Sequence, residues 1–220
     1  MTGSCVVTGG GRGIGRAIVQ RLLDDGHAVV TVEFDPETVT WLAGRPNAAA
    51  VVGDATDESV AERAADLAAG MAPLSGWVNN AAVFRDAALH TDGPATVIDL
   101  VTANLAPAVV GSAVAVRRFL AAGTGGAVVN VSSHQAGRPV RGALPYAVAK
   151  AAVEGLTRAT AVEYGPHGVR ANTVALGSIA TDRYADLLDR LGPDAAAEVR
   201  EQMRLLHPLG RLGRPEEVAA

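Results

Sequence analysis

The sequence predicts a doubly wound α/β fold, a parallel sheet carrying helices on both faces. Three observations predict it. Short β-branched runs alternate along the chain with longer Ala- and Leu-rich segments of helical period. The strand runs are apolar throughout, as in strands covered on both sides. A glycine-rich turn joins the first run to the first helical segment. In such a fold right-handed crossovers put the ligand crevice at the carboxyl ends of the strands.

The expected strands are Ser4–Thr8, Ala28–Glu33, Ala49–Gly53, Gly76–Asn79, Ala127–Val131 and Val169–Val174. The expected helices are Gly13–Asp25, Pro36–Ala43, Asp57–Gly70, Pro94–Ala103, Ala106–Ala122, Pro145–Tyr164, Tyr184–Leu191 and Asp194–Leu206. Asp35-Pro36-Glu37 supplies a cap, a proline first position and an acid in the first turn, and Asp57 caps in the same way. No repeat, linker or low-complexity segment interrupts the alternation, so residues 1–220 read as one domain. Arg214-Pro215-Glu216-Glu217 starts a helix with five residues of chain left after the proline. One turn cannot hold itself, and the reading expects a missing helix and final strand.

Composition narrows the function. With 220 residues, 49 % of them hydrophobic and 19 % charged, the chain can bury a full core without disulfides. A net charge of −4 gives no bulk attraction for nucleic acid or anionic lipid. The one cysteine, Cys5, lies in an apolar run and reads as an inert core residue; no ligand cluster for a metal is present. The N-terminus lacks the basic and apolar segments of a signal peptide. The apolar stretch Leu100–Val116 is short and interrupted by Asn104, Pro107 and Ser112. The expectation is a cytoplasmic protein without nucleic-acid or membrane partners.

The run Thr8-Gly9-Gly10-Gly11-Arg12-Gly13-Ile14-Gly15 lies between a strand and a helix. Glycines there let the backbone turn tightly and approach a pyrophosphate, which the helix N-terminus then receives. Glu33 ends the second strand, where an acid takes the adenosine ribose hydroxyls. A carboxylate there repels a 2′-phosphate and favours NAD. Arg12 pulls towards NADP, its bland role being a pair with Glu33. No second basic residue follows Glu33, since Phe34 and Asp35 come next. NAD is therefore the expected cofactor and NADP the less expected one, with Phe34 flanking the adenosine. Asp54, followed by Ala55, either accepts from the adenine amino group or starts a helix beside Asp57. Asn79-Asn80-Ala81-Ala82 ends the fourth strand with side chains small enough for close approach to the cofactor.

Tyr146 and Lys150 are four apart in a helical segment and share a face. An ammonium beside a phenol favours the phenolate, the form a general base needs. Lys150 is the single lysine among 19 basic residues, the rest being arginines, and a compact ammonium can also reach ribose hydroxyls. Ser133 ends the fifth strand at the crevice edge. Its rival Ser132 falls on the opposite face by alternation. His134 adjoins Ser133 but points away from it, which leaves no Ser-His-Asp triad and places His134 at the pocket border.

These residues together resemble the short-chain dehydrogenase/reductase family, in its branch of single-domain oxidoreductases. The resemblance runs from Ser4 to the end and rests on the Thr8–Gly15 loop, Asn79–Ala82, Asn104, Ser133, the Tyr146–Lys150 pair and Asn172–Thr181. It implies a Rossmann-like fold with Tyr146 as general acid/base. Lys150 then tunes Tyr146 and binds the nicotinamide ribose, Ser133 orients the reacting oxygen, and Asn104 holds a water relay to Lys150. Gly177, Ile179 and Thr181 would meet the nicotinamide half. Ala82 stands where the family has glycine, Leu176 where it has proline, and its last helix and strand are lacking.

The expected activity is hydride transfer between NAD(H) and a secondary alcohol/ketone pair. An NADP-dependent reductase of 3-oxoacyl thioesters is the alternative favoured by Arg12. A non-catalytic nucleotide-binding protein is a third reading, opposed by the complete set of Asn104, Ser133, Tyr146 and Lys150. Ser178–Pro208 is Leu-rich and either covers an apolar substrate or packs helices on the body. Helix Ala106–Ala122 is apolar nearly all round. With 145–164 beside it, it is the expected contact of a homodimer or homotetramer, as the resemblance also implies.

Overall fold

The computed structural model describes residues 2–220. Six parallel strands form one sheet in the order β3-β2-β1-β4-β5-β6. They are β1 (Ser4–Thr8), β2 (Ala28–Glu33), β3 (Ala48–Val52), β4 (Leu74–Asn79), β5 (Gly126–Ser133) and β6 (Val169–Leu176). The helices are α1 (Gly13–Asp24), α2 (Glu58–Met71), α3 (Gly93–Ala122), α4 (Leu144–Tyr164), α5 (Asp182–Arg190), α6 (Pro193–Leu206) and α7 (Pro215–Ala219). The strand order reverses between β1 and β4, and a ligand crevice opens at such a switch point.

Alternation along each strand divides the core between the two faces. Val6 and Val30 face a cluster with Ala61, Ala64 and Ala65 of α2 and Val114 and Phe119 of α3. Val7 and Val29 face the other way, onto Val19 and Leu23 of α1 and onto Val39 and Leu42. Trp77 and Phe119 are the largest fully buried side chains. Burial of each large apolar side chain contributes about 1.5–3 kcal/mol.

Three expectations need correction. Pro94–Ala103 and Ala106–Ala122 are one continuous 30-residue helix, α3, with Pro107 inside it. The missing proline N–H removes the bond to the carbonyl four residues back, yet buried contacts on both sides of Pro107 carry the helix through. A window of α3 has mean hydropathy 1.7, and its length and composition would suffice to cross a membrane. It packs instead on β4, α2 and α4 as a core helix. Finally, Pro36–Leu42 is a 3₁₀ run, not an α-helix, capped by Asp35 Oδ1 accepting from the Glu37 N–H at 3.0 Å. Asp57 caps α2 as expected, accepting from the Ser59 N–H at 2.8 Å.

Candidate active site

The glycine loop leaves β1 with Gly9 N–H donating to the Val32 carbonyl at 2.8 Å. Gly9 and Gly13 have φ of +69° and +52°, a region that L side chains rarely adopt. At Gly15 a Cβ would sit 1.9 Å from the Gly9 carbonyl oxygen. Loop and helix thus approach as closely as backbone allows. Helix α1 begins after Arg12 with no side-chain cap and no acid in its first turn, so its first N–H groups are left for an anion. This cradle, walled by backbone and closed to side chains, fits a dinucleotide pyrophosphate.

The opposite lip is pinned to the loop. Thr8 Oγ1 accepts from the N–H groups of Asn80 and Ala81, both at 3.1 Å. Asn80 Nδ2 donates to the carbonyls of Gly9 at 2.9 Å and Thr8 at 3.2 Å. Ile14, Ala81 and Ala82 are half-buried beside this junction. Glu33 stands at the end of β2, its Oε2 accepting from the Gly11 N–H at 2.9 Å and its Oε1 from the Phe34 N–H at 3.1 Å. The Arg12–Glu33 pair is not formed among the described residues. Backbone takes the carboxylate first, and Arg12 is exposed. Phe34 is 77 % exposed at the crevice edge. Asp54 Oδ1 accepts from the Thr56 N–H at 2.8 Å, a turn role, with half-buried Ala55 between them.

At the chemistry end α4 brings Tyr146 and Lys150 over the end of β5. Lys150 is 3 % exposed, and its Nζ donates to the Val131 carbonyl at 2.7 Å and lies 5.5 Å from the Tyr146 ring centroid. Burial pulls its pKa down to about 8. Burial also pushes the Tyr146 phenol up, against the opposing pull of the Arg183 charge and of the Ser133 hydroxyl nearby. Ser133 Oγ accepts from the Gln135 N–H at 3.2 Å. Ser132 faces α4, donating to the Lys150 carbonyl at 3.3 Å and to Glu154 at 3.2 Å. The two serines therefore serve different faces. His134 is exposed, its Nδ1 at 3.2 Å from the Leu176 carbonyl.

A buried polar chain holds α4 to the sheet. Trp77 Nε1 donates to Asn79 Oδ1 at 2.9 Å, Asn79 Nδ2 to Asn130 Oδ1 at 2.8 Å, and Asn130 Nδ2 to Thr157 Oγ1 at 2.8 Å. Thr173 of β6 donates to the same Thr157 oxygen at 2.7 Å. Each buried member has a partner, so the chain fixes register without a desolvation penalty left over. Asn104 is buried on α3. Its Oδ1 accepts from the Val83 N–H at 3.0 Å and its Nδ2 donates to the Leu100 carbonyl at 3.1 Å. It has no direct hydrogen bond to Lys150.

Beyond β6 the chain passes Gly177 and pairs Ile179 with Gly213 in a parallel bridge. Ala180 N–H donates to the Gly213 carbonyl at 2.8 Å, and Gly213 N–H to the Ser178 carbonyl at 3.0 Å. Thr181 abuts Gly13, where a Cβ would meet its Cγ2 at 3.3 Å, which brings the two halves of the crevice together. His207 Nδ1 lies 2.6 Å from the Met203 carbonyl, and its Nε2 accepts from the Ser178 N–H at 3.3 Å. The lid leucines do not line a closed apolar pocket: Leu205, Leu206 and Leu209 are 69–81 % exposed.

Two side chains at the site escape sequence reasoning. The Phe84 ring lies 5.0 Å from the Tyr146 ring, tilted by 35°, and the Arg183 guanidinium carbon lies 3.4 Å from the Phe84 centroid. Phe84 follows the small-residue run after β4, a faint signal for an aromatic at the crevice. Arg183 carries none, because only the return of α5 brings it there.

Known proteins share this arrangement. The family model for the short chain dehydrogenases matches residues 4–191. Short-chain reductase protein NovJ of Streptomyces niveus is 35 % identical over 221 residues, covering 98 % of this chain and 83 % of that protein. Galactitol 2-dehydrogenase (L-tagatose-forming) of Cereibacter sphaeroides is 34 % identical over 228 residues, covering 100 % of this chain and 86 % of that one. The crystal structure of levodione reductase superposes with a TM-score of 0.87 at 28 % identity, covering 100 % of this chain and 88 % of the other. The family model spans most of the chain, and relatives above 30 % identity are matched over more than four-fifths of their length: the chain belongs to the short-chain dehydrogenase family of oxidoreductases.

Proposed function

We propose that this enzyme interconverts a secondary alcohol and a ketone with NAD(H), from a single domain that both binds the dinucleotide and carries the catalytic groups. The placing of Tyr146 and buried Lys150 on α4, with Lys150 bonded to the Val131 carbonyl of β5, the strand that ends at Ser133, carries the reading. When bound, the nicotinamide supplies or accepts the hydride. In reduction Tyr146 donates its phenolic proton to the carbonyl oxygen while the Ser133 hydroxyl holds the same oxygen. In oxidation the Tyr146 phenolate takes the hydroxyl proton. Lys150 favours that phenolate by its charge and holds the nicotinamide ribose, and Asn104 supports a water relay to it. Gly177, Ile179 and Thr181 take the nicotinamide half, with Ile179 fixed by its bridge to Gly213. The alcohol named for galactitol 2-dehydrogenase supports a hydroxyl/ketone substrate.

Glu33 supports NAD: both carboxylate oxygens are anchored by backbone, which fixes its charge where a 2′-phosphate would enter. Phe34, Asp54 and Ala55 then border the adenosine. Arg12, exposed and without an ion pair among the described residues, favours a second reading, an NADP-dependent 3-oxoacyl thioester reductase. Separate titrations with NADH and NADPH, followed by a ketone screen, test the two. Tighter NADH with ketone turnover bears out the first, and tighter NADPH with thioester turnover the second.

The packed pair α3 and α4 presents exposed Val109, Leu120, Val148 and Val162, which supports a homodimer or homotetramer through 106–122 and 145–164. A cytoplasmic enzyme without membrane or nucleic-acid partners is part of the same reading. Light scattering on the purified chain tests the assembly; a monomer would remove it.

A further inference from the structure

Arg183 is the least explained charge near the site. It is the second residue of α5, in the lid segment after Thr181. Its guanidinium carbon lies 3.4 Å from the Phe84 ring centroid, and the Phe84 ring lies 5.0 Å from that of Tyr146. Stacking engages the face of a guanidinium and leaves its in-plane N–H donors free. Among the described residues no carboxylate lies within salt-bridge distance of Arg183, a state it shares with other arginines but here combined with partial burial against the Phe84 ring. No side-chain hydrogen bond from Arg183 is made either. Its charge is nonetheless felt at the phenol, and partial desolvation pulls its own pKa down. A cation that is partly desolvated, held in place by an aromatic ring and left without a counter-ion is suited to receive one from a ligand.

We infer that Arg183 is a specificity-determining residue that selects an oxo acid, its carboxylate held by the guanidinium while its ketone oxygen lies between Ser133 and Tyr146. A carboxylate fits better than a phosphate, because one planar fork neutralises one carboxylate in bidentate fashion and the stack brings a single cation to the phenol. The carboxylate is a few bonds from the ketone, since guanidinium and phenol ring both contact the one Phe84 ring. This inference rests on the proposed ketone reduction and narrows its substrate.

The test uses the full chain with the preferred dinucleotide and matched pairs, 3-oxobutanoate and 4-oxopentanoate against their ethyl esters. The readout is the ratio of kcat/KM, acid over ester, in which any effect of Arg183 on the phenol cancels. Wild type favours the acid of at least one pair. Arg183→Leu, which keeps an apolar contact for Phe84, lowers that ratio about tenfold or more, chiefly through KM for the acid. Arg183→Lys restores part of it, and the dissociation constant for NADH stays within about twofold. An unchanged ratio in Arg183→Leu overturns the inference, as does a loss of NADH affinity, which would make Arg183 a cofactor residue. Turnover of esters in preference to acids by the wild type overturns it while leaving the ketone reductase standing. No turnover of either acid by a dinucleotide-binding wild type that reduces other ketones overturns the inference alone, and no turnover of these pairs or of any ketone in the screen overturns both.

Discussion

The two ends of the crevice are built on opposite principles. At the nucleotide end, recognition is made of backbone: Gly9, Gly13 and Gly15 withhold side chains so that carbonyls, N–H groups and a helix end can come close. At the chemistry end it is made of buried polar side chains, with Lys150 and Asn104 almost fully excluded from water. The first is sensitive to atoms added, the second to atoms removed. One end requires conformational permission and the other requires that desolvation be compensated.

Substitutions sharpen this contrast. The largest effect is expected at Tyr146→Phe, which removes one oxygen. Turnover should fall about 10²–10⁴-fold with NADH affinity nearly unchanged; steady-state rates beside a fluorescence titration show whether the two separate. Lys150 comes next. Its pKa is about 8 when folded and 10.5 by its ordinary value. Between these pH values the unfolded chain binds more protons, so wild-type stability rises with pH across the window, by up to about 3 kcal/mol. Below pH 8 both states are charged and the burial penalty is whole. Lys150→Met lacks this rise. Denaturant unfolding at about pH 7 and about pH 10 should therefore show the wild type gaining on the variant.

At the other end, Gly15→Ala adds one methyl 1.9 Å from the Gly9 oxygen. A cost of about 1–3 kcal/mol is expected, with weakened NADH binding. An unaltered melting temperature would mean that loop and helix can part without loss. The smallest change is in selectivity: Glu33→Ala should lower the NADH-over-NADPH preference about tenfold. A constant ratio of the two dissociation constants would pass cofactor choice to Arg12.

Much of this division is legible in the amino-acid sequence, and the reason is locality. The glycine loop, the Tyr146–Lys150 spacing and the end of β5 at Ser133 each follow from a few consecutive residues. The fusion across Pro107 does not, since local propensity favours a break and only tertiary packing overrides it. Nor does Arg12 reveal that the Gly11 N–H has already engaged Glu33. The Arg183–Phe84–Tyr146 stack joins segments that no local pattern connects.

The bridge between Ile179 and Gly213 has a wider consequence. The chain between those residues leaves and rejoins the body at this bridge. The ends of that excursion are already closed, so its length and sequence can change at little further entropic cost to the body. The stretch from Asp182 to Leu212 is thus tethered at both ends, and changes of its length far from Thr181 and Arg183 should leave the glycine cradle undisturbed.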